Sequence, residues 1–422
     1  LFIFYFMKKL LLFFLFALLW GNQLDTIVIK GNKYTLEKII LREIKHPIPA
    51  IFQDNIASED RNRLYNLGIF SSVEIFQSNN EYTIILVETN RYLPLPLINI
   101  EESKGKDGYS FGFALKIINF RGLNESLIFG SMVGERNIYF LNFSNPWITG
   151  NHQSIDFEIY NYINQRFIFQ NQIENQFDFN SNGINIGTGF YYNDSNKFKF
   201  ETGFRYNTIA NLDSSISTNT KFNFIPIKLD YTFDSRDIYI DPESGIFFNL
   251  NPQQFIGLKN TKSYSQIYYS LNYYKKFSKF RDIIFISKSK GVLKLGNTIP
   301  IYNREYLGGE DYVRGYSPFP NKNSEEIKNN IQVNNIIQQT IELQWTLISK
   351  KLYNNSFEFG IDQVLFIDCG YGALNSNDLF NNKPIIGFGT GLRFFISGMG
   401  VISMDLGFNL DGGPMQIHMT DN

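Results

Sequence analysis

The sequence predicts a small α+β domain followed by an all-β, transmembrane, antiparallel barrel of about sixteen strands. Three observations favour this fold: many aromatic residues, a modest hydropathy, and long segments in which apolar and polar residues alternate. Aromatic residues make up 17% of the 422 residues, yet the mean hydropathy is −0.18. Membrane barrels combine these properties because only one face of each strand meets lipid, while aromatic girdles add Phe and Tyr residues.

The composition also excludes several kinds of function. The 39 Lys and Arg residues are balanced by 40 Asp and Glu residues, so no basic surface for nucleic acid is expected. Cys369 is the single cysteine, and His46, His152 and His418 are isolated in the sequence, so we expect neither a disulfide nor a metal site. The sequence contains no catalytic or nucleotide-binding motif, and we expect a protein that is not an enzyme and needs no cofactor.

The N-terminal segment has the form of an export signal. Residues 10–20 are apolar and follow Lys8 and Lys9. This run of 11 residues is shorter than the ~20 residues that a membrane-spanning helix needs. We therefore predict a secretory signal peptide at residues 1–21, with an N-terminal anchor or a buried helix as the alternative.

The pattern of residues 24–90 predicts a small mixed domain with the order β-α-α-β-β. Thr35 is the expected N-cap of the first helix, because apolar residues recur behind it at helical spacing as far as Ile44. The second helix should end before Gly68, since glycine tolerates the left-handed conformation that follows many helices. The predicted strands are 25–32, 72–76 and 82–88, and the predicted second helix is 54–67.

This order, with Gly31-Asn32 after the first strand and Leu67-Gly68 after the second helix, resembles a POTRA domain. The resemblance implies a periplasmic module that offers an exposed sheet edge to extended polypeptides. A short sheet that helices cover on one face leaves backbone groups with which an incoming strand can pair. A generic α+β domain remains the alternative.

Residues 91–96 contain Pro94 and Pro96 and are predicted to form a stiff linker, so that the barrel extends over residues 97–422. Many segments then alternate, for example at Phe198/Phe200/Phe204, Ile225/Ile227/Leu229, Ile341/Leu343/Trp345 and Ile402/Met404/Leu406. At roughly 20 residues for each strand and its connection, the segment holds about sixteen strands. A soluble sandwich would also alternate, but the export signal and the charged residues opposite the aromatic ones favour a closed, or nearly closed, membrane barrel.

A long segment at about residues 297–335 separates two alternating stretches. Connections of more than ~12–15 residues without secondary structure are usually functional or disordered. This one contains Val313, Arg314, Gly315 and Tyr316, which together resemble the VRGF/Y motif of the BamA/TamA-like superfamily of outer-membrane insertases and translocators (bacterial surface antigen type). The resemblance implies a loop that folds back into the barrel lumen.

Two acidic residues are predicted partners of Arg314. Glu342 and Asp368 each alternate with apolar neighbours, which places both carboxylates on the lumen face of their strands. In the family that the motif resembles, the motif arginine contacts acids of the strands that follow the loop. A guanidinium group suits such a site because its planar fork of donors can bridge two carboxylates. Without this context, Arg314 would be an ordinary loop arginine.

Other segments resemble further parts of the same family. Asp234, Arg236 and Asp237, followed by Pro242 and Gly245, resemble its mid-barrel hairpin. Matches to its early turns and closing strands are Asn119-Phe-Arg-Gly122, Asn145-Pro-Trp147, Gly389-x-Gly391-Leu-Arg393 and Asp405-x-Gly407. The resemblance thus extends over nearly the whole chain after the signal peptide.

The resemblance implies insertion or translocation of polypeptides at the outer membrane, with the small domain in the periplasm. We expect the first barrel strand, within residues 110–119, to separate from the last, within residues 415–419, so that a client strand can pair at this seam. Expected partners are unfolded outer-membrane or secreted polypeptides and outer-membrane lipid, with periplasmic or lipoprotein partners left open and no nucleic acid. The alternatives are a dedicated secretion pore for one passenger and a passive porin or structural barrel.

Overall fold

A computed structural model of the chain describes residues 23–103, 106–149, 152–170, 173–212, 219–277, 282–296, 298–317, 332–353, 357–396 and 399–421. The predicted signal peptide at residues 1–21 lies outside the described residues, as does part of the predicted lumen loop.

The N-terminal part is a small α+β domain that contains the predicted β-α-α-β-β order and, in addition, two short strands that pair with each other. Its elements are β1 (Gln23–Leu24), β2 (Thr26–Lys30), α1 (Glu37–Leu41), β3 (Ala50–Ile51), α2 (Asp54–Asn66), β4 (Phe70–Ser78) and β5 (Glu81–Glu88). In the main sheet, β5 lies between β2, to which it is parallel, and β4, to which it is antiparallel. Both β2 and β4 are therefore edge strands. None of the helices in the described part of the chain is long and apolar enough to cross a membrane.

The core of this domain is apolar around one buried acid. Ile40, Leu64 and Ile84 are fully buried between the helices and the sheet. The carboxylate of Asp60 is also fully buried, and it accepts hydrogen bonds from the Tyr82 hydroxyl at 2.8 Å and from the backbone N–H of Lys45 at 2.9 Å. Because these donors replace water, the buried charge can be accommodated.

The first helix differs from its prediction. Helix α1 begins only at Glu37, and its N-cap position is Leu36, which makes no side-chain capping bond. The hydroxyl of Thr35 instead donates to Glu88 Oε1 at 2.6 Å and accepts from Asn119 Nδ2 at 2.9 Å. The prediction of Thr35 as N-cap was wrong, because this side chain joins the end of β5 to Asn119 in a turn of the barrel. Gly68, in contrast, has the predicted left-handed conformation, with φ +70°.

The rest of the chain forms one antiparallel sheet of sixteen strands, so the predicted fold class is confirmed. Its strands are β6 (Tyr92–Ser103), β7 (Lys106–Ile118), β8 (Ser126–Gly134), β9 (Asn137–Asn145), β10 (Gln153–Gln170), β11 (Ile173–Tyr191), β12 (Asn196–Ala210), β13 (Lys221–Asp234), β14 (Gly245–Gly257), β15 (Tyr264–Phe277), β16 (Ile283–Leu295), β19 (Asn335–Tyr353), β20 (Phe357–Ala373), β21 (Ile385–Ile396), β22 (Gly400–Asn409) and β23 (Gln416–Asp421). Two short strands, β17 (Glu305–Tyr306) and β18 (Gln332–Val333), pair with each other in the connection between β16 and β19.

The segment predicted as a linker is part of the first barrel strand. β6 pairs with β7 from Tyr92 onward, so the barrel begins at residue 92 and not at residue 97. The first barrel strand is β6, and the prediction that placed it within residues 110–119 was wrong. The backbone N–H of Ile118 donates to Arg91 O at 2.7 Å, which shows that odd-numbered residues of this strand direct their backbone polar groups toward β7. Pro94 and Pro96 therefore face the free side, where proline is tolerated because no ladder bond is lost.

Two prolines in interior strands have a different effect. The ladder between β12 and β13 is interrupted at Pro226, and the ladder between β13 and β14 is interrupted at Pro252. A residue without an N–H cannot donate to its neighbour strand, so each interruption lies where the sequence removes a donor.

The ends of the sheet are β6 and β23. In the described segments, no backbone pairing joins these two strands, so the sixteen strands form a barrel with an unpaired seam. The two faces differ as predicted: Phe198, Phe200 and Phe204 are exposed on the outside, whereas Lys199 and Glu201 face inward, where the ammonium of Lys199 lies 3.1 Å from Asp156.

The small domain lies across one end of the barrel, called here the domain end. Leu36 N donates to Gly122 O at 3.1 Å, and the Arg42 guanidinium lies 4.4 Å from the ring centre of Trp147. Farther round the barrel, the hydroxyl of Tyr65 donates to Glu358 Oε2 at 2.6 Å. The domain thus contacts well-separated parts of the barrel wall.

Candidate functional site

The connection between β16 and β19 folds into the barrel. Its described part, 298–317 and 332–334, buries Tyr302, Leu307, Val313 and Tyr316 almost completely. Within the loop, Val313 N donates to Leu307 O, and Gly309 N donates to Val313 O, both at 3.1 Å. These bonds give the motif a fixed backbone in the absence of regular secondary structure.

Glycines allow the motif backbone to lie directly against two strands. Gly315 has φ +92°, and a side chain at this position would overlap the carbonyl oxygen of Phe408 on β22. A Cβ at Gly387 on β21 would overlap the carbonyl of Arg314, and one at Gly407 on β22 would overlap the backbone of Gly315. Close approach of this kind needs glycine on both sides of the contact.

Arg314 contacts both acids that the sequence predicted. Its Nε and Nη2 atoms donate to the two carboxylate oxygens of Asp368, each at 2.8 Å. Nη2 also lies 2.9 Å from Glu342 Oε1, and the guanidinium carbon lies 3.6 Å from the ring centre of Phe366. The geometry is that of a planar cation held between two carboxylates and an aromatic face.

Three further members of this site were not predicted as partners of the arginine, although two of them lie in the segments that resemble the closing strands of the family. Asp405 on β22 accepts from Arg314 Nη1 at 2.9 Å and from Arg393 Nη1, on β21, at 2.6 Å. Lys288 on β16 lies 3.1 Å from Glu342 Oε2. We call these six side chains the charge cluster; its members are Lys288, Arg314, Glu342, Asp368, Arg393 and Asp405.

The charge cluster is buried and electrically balanced. Arg314 is 8% exposed and Asp368 is fully buried, and three cations face three carboxylates. Burial lowers the pKa of Arg314, but Glu342, Asp368 and Asp405 raise it more, so the net pKa lies above the ordinary value for arginine. The guanidinium therefore stays charged, and the buried carboxylates keep the partners that they need.

The motif also contacts the last barrel strand. Gly315 N donates to His418 Nε2 at 3.0 Å, and Asn409 Nδ2 donates to Gly315 O at 2.7 Å. His418 Nδ1 lies 3.4 Å from Glu310 Oε2, and the hydrogen bond from His418 lowers the pKa of this glutamate. Because Nε2 accepts a hydrogen bond, the proton belongs on Nδ1. His418 is isolated in the sequence, and its contact with the loop was not predicted, since the sequence does not show which strand lies beside the loop.

The remaining motif residues, Val313 and Tyr316, anchor the loop on either side of the arginine. Val313 is fully buried and packs beside Gly370 of β20, where only a hydrogen atom leaves room for it. The hydroxyl of Tyr316 donates to Asp411 Oδ2 at 2.8 Å in the turn between β22 and β23. All four motif residues thus contact the C-terminal strands or the turn that joins them.

The hairpin at 234–245 lies at the domain end. Arg236 pairs with Asp234 at 2.7 Å, Asp237 Oδ1 accepts from the backbone of Ile238 at 2.8 Å, and Gly245 has φ +113°. Pro242 lines, together with Arg314, a lumen cavity of about 510 Å³. The hairpin therefore approaches the charge cluster from the opposite end of the barrel.

The other family-like segments at this end contact the small domain. Asn119 holds Thr35 through its side chain, and a Cβ at Gly122 would overlap the carbonyl of Tyr34. Asn145 Oδ1 accepts from Trp147 N at 2.9 Å, which fixes the indole beside Arg42. Among the described residues, no group of three or more His, Cys, Asp or Glu side chains is arranged to hold a metal ion.

Comparison with known proteins gives matches at the level of sequence. A family model described as the Omp85 superfamily domain matches residues 119–416. The outer membrane protein assembly factor BamA of Buchnera aphidicola subsp. Acyrthosiphon pisum (strain APS) is 26% identical over 201 residues, which are 45% of this chain and 31% of that protein. The match thus covers about a third of the curated relative.

Solved structures share the fold over 94% of this chain. BamA from Haemophilus ducreyi lacking POTRA domains 1-3 has a TM-score of 0.59, 16% identity and 83% of its chain covered. CdiB from Escherichia coli has a TM-score of 0.51, 13% identity and 89% of its chain covered. CdiB from Acinetobacter baumannii has a TM-score of 0.55, 12% identity and 72% of its chain covered. At these identities the likeness concerns the fold alone.

We predict that Arg314→Ala releases the loop while the barrel still forms. The variant leaves buried carboxylates short of a cation, which typically costs ~3–5 kcal/mol for a buried pair and less in a hydrated lumen. Arg314→Lys should rescue only in part, because an ammonium cannot span two carboxylates. Protease cleavage within the loop measures its release, and heat-modifiable gel mobility measures the barrel.

Arg304→Ala is the matched control, because Arg304 belongs to the same loop but not to the charge cluster. Cleavage of Arg314→Ala at the wild-type rate would contradict the assigned anchoring role.

We predict that His418→Ala loosens β23, whereas His418→Gln does not. Alanine leaves the buried N–H of Gly315 without its acceptor, at a typical cost of ~1–3 kcal/mol, while a glutamine amide oxygen can replace Nε2. Hydrogen exchange of residues 416–421 in lipid nanodiscs should increase in the alanine variant and stay near the wild-type rate in the glutamine variant. Equal exchange in all three proteins would refute the coupling.

Proposed function

Because the chain belongs to the Omp85 superfamily, we propose that it inserts client polypeptides into the outer membrane by strand exchange at the barrel seam. The family agrees with the BamA/TamA-like resemblance of the sequence motifs. The protein is an outer-membrane β-barrel. We place its small domain in the periplasm, where unfolded clients would arrive. The proposed reaction needs no nucleotide, cofactor or enzymatic step.

The observation that carries this proposal is the attachment of the loop to the strands beside the seam. Arg314 binds Asp368 on β20 and Asp405 on β22, and Gly315 binds His418 on β23. The loop therefore braces one side of the seam from within the lumen. The opposite strand, β6, has its partner β7 on one side, and on the other side no strand of the described part of the chain pairs with it.

A free strand edge in a membrane favours pairing with an incoming strand. Unpaired backbone groups in hydrocarbon cost several kcal/mol each, so a client strand that satisfies them is stabilised where it first contacts the barrel. Successive hairpins of the client then add to this strand and form a client sheet. The client sheet separates from the seam and enters the bilayer when it buries its own apolar face. No external energy source is required for these steps.

The small domain supplies the first binding site for the client. β2 and β4 are both edge strands, and β4 extends over the 9 residues Phe70–Ser78. An extended polypeptide can add to such an edge through main-chain hydrogen bonds with little regard to sequence. This property suits a protein that handles many clients.

The end of the lumen opposite the domain end is called here the loop end, and an apolar plug fills it. This plug supports release of the client sideways into the bilayer and not through the lumen. Its side chains come from β10 to β15 and from the loop; they are Ile168, Phe177, Phe179, Ile209, Phe222, Phe224, Phe255, Tyr264 and Tyr302. Tyr302 is 5% exposed, and its hydroxyl accepts from Asn207 Nδ2 at 2.9 Å. Water-filled channels have polar walls, so a dedicated secretion pore or a porin would first have to displace this plug.

The name of the curated relative, an assembly factor, favours insertion, and a dedicated translocator is the second candidate. Depletion of the protein followed by outer-membrane proteomics distinguishes the two. We expect a broad loss of barrel proteins. Loss of one passenger with normal levels of the others would identify a dedicated translocator and contradict the proposal.

We also predict a low ion conductance in planar bilayers that rises in Tyr302→Ala, because truncating a buried aromatic ring opens the plug at a typical cost of ~3–5 kcal/mol. Tyr192→Ala is the control, since Tyr192 is an exposed residue of a turn at the domain end. A large, steady conductance of the wild-type protein would favour a porin.

A further inference from the structure

The free edge of β6 presents an uneven set of backbone groups. Because Arg91 accepts from Ile118, odd-numbered residues of β6 face β7, and even-numbered residues direct their backbone polar groups to the open seam. Two of the even-numbered residues, Pro94 and Pro96, have no N–H. The N–H donors on this edge therefore belong to Tyr92 and to residues 98, 100 and 102.

The donors are concentrated in one half of the strand. β6 follows the small domain directly, so Pro94 and Pro96 lie in the half near that domain and residues 98–102 lie in the half near the loop end. In the first half, a partner strand would receive hydrogen bonds to carbonyl groups only. In the second half it would find donors and acceptors in the alternation that an antiparallel ladder needs.

This arrangement also affects the cost of an open seam. Tyr92 and Ile98 are 58% and 64% exposed on the outer face, so this edge borders the lipid. Each N–H that proline removes is one donor fewer to leave unsatisfied in hydrocarbon. The half near the domain can thus remain unpaired more easily than the half near the loop end.

We propose that an extended segment of a client polypeptide pairs with β6 along residues 98–102 and that Pro94 and Pro96 keep the half near the small domain unpaired. The inference rests on the proposed function and names the part of the seam that a client uses. The occupant is a client and not β23, because β23 is held by His418 against the loop motif and is not paired with β6 in the described residues.

Photo-crosslinking tests this inference with the full-length protein in phospholipid vesicles. The crosslinker benzoylphenylalanine replaces Tyr92 or Ile98, which have similar exposure and flank the two prolines. The client is a urea-denatured, eight-stranded outer-membrane barrel protein. We expect the crosslink yield at 98 to exceed that at 92 by on the order of tenfold, the effect of two backbone hydrogen bonds. In Pro94→Ala/Pro96→Ala, the restored donors should make the two yields similar.

Pro252→Ala is the matched control, because it restores a donor in an interior strand and should leave the ratio unchanged. Equal crosslinking at 92 and 98 in the wild-type background would overturn the inference, whether or not the double variant folds. If the vesicles still accelerate client folding in that case, the proposed function survives. If neither position crosslinks and client folding is not accelerated, both are overturned.

Discussion

The structure of the barrel interior depends on the buried guanidinium of Arg314. A cation with so little access to water is stable only if carboxylates surround it, and Glu342, Asp368 and Asp405 reach it from three different strands. The loop that carries the arginine is consequently tied to the barrel wall at one point in space. The glycines at 315, 387 and 407 belong to the same constraint, because they let the backbone approach closely enough for the side chain to reach its partners.

The alternation of side chains allowed much of this to be predicted from the sequence. Strand parity shows which face a residue occupies, and it placed Glu342 and Asp368 correctly on the lumen side. Parity does not show which strands become neighbours of the loop once the sheet has curled, and for that reason Arg393, Asp405 and His418 were missed. All three lie within 30 residues of the C-terminus, far from Arg314 in the sequence.

Local rules failed where tertiary contacts compete with them. Thr35 has the side chain of a helix cap, but its hydroxyl is bound to Glu88 and Asn119 at the junction of domain and barrel. Pro94 and Pro96 would argue against a strand only if that strand had to pair with neighbours on both sides. At the edge of the sheet the missing donors face away from β7, so the prolines are compatible with a regular strand.

The contacts of the loop motif also impose an order on the formation of the barrel. Every strand that anchors Arg314 and Gly315 follows them in the chain, with separations of 54 residues to Asp368, 91 to Asp405 and 103 to His418. Contacts between such distant residues form late, because a long stretch of chain must first be ordered. A barrel that lacks the strands from β20 onward would leave the arginine with Glu342 alone among its three acidic partners. The loop can therefore dock fully only after the C-terminal strands have formed. Burial of the arginine distinguishes a finished barrel from an unfinished one.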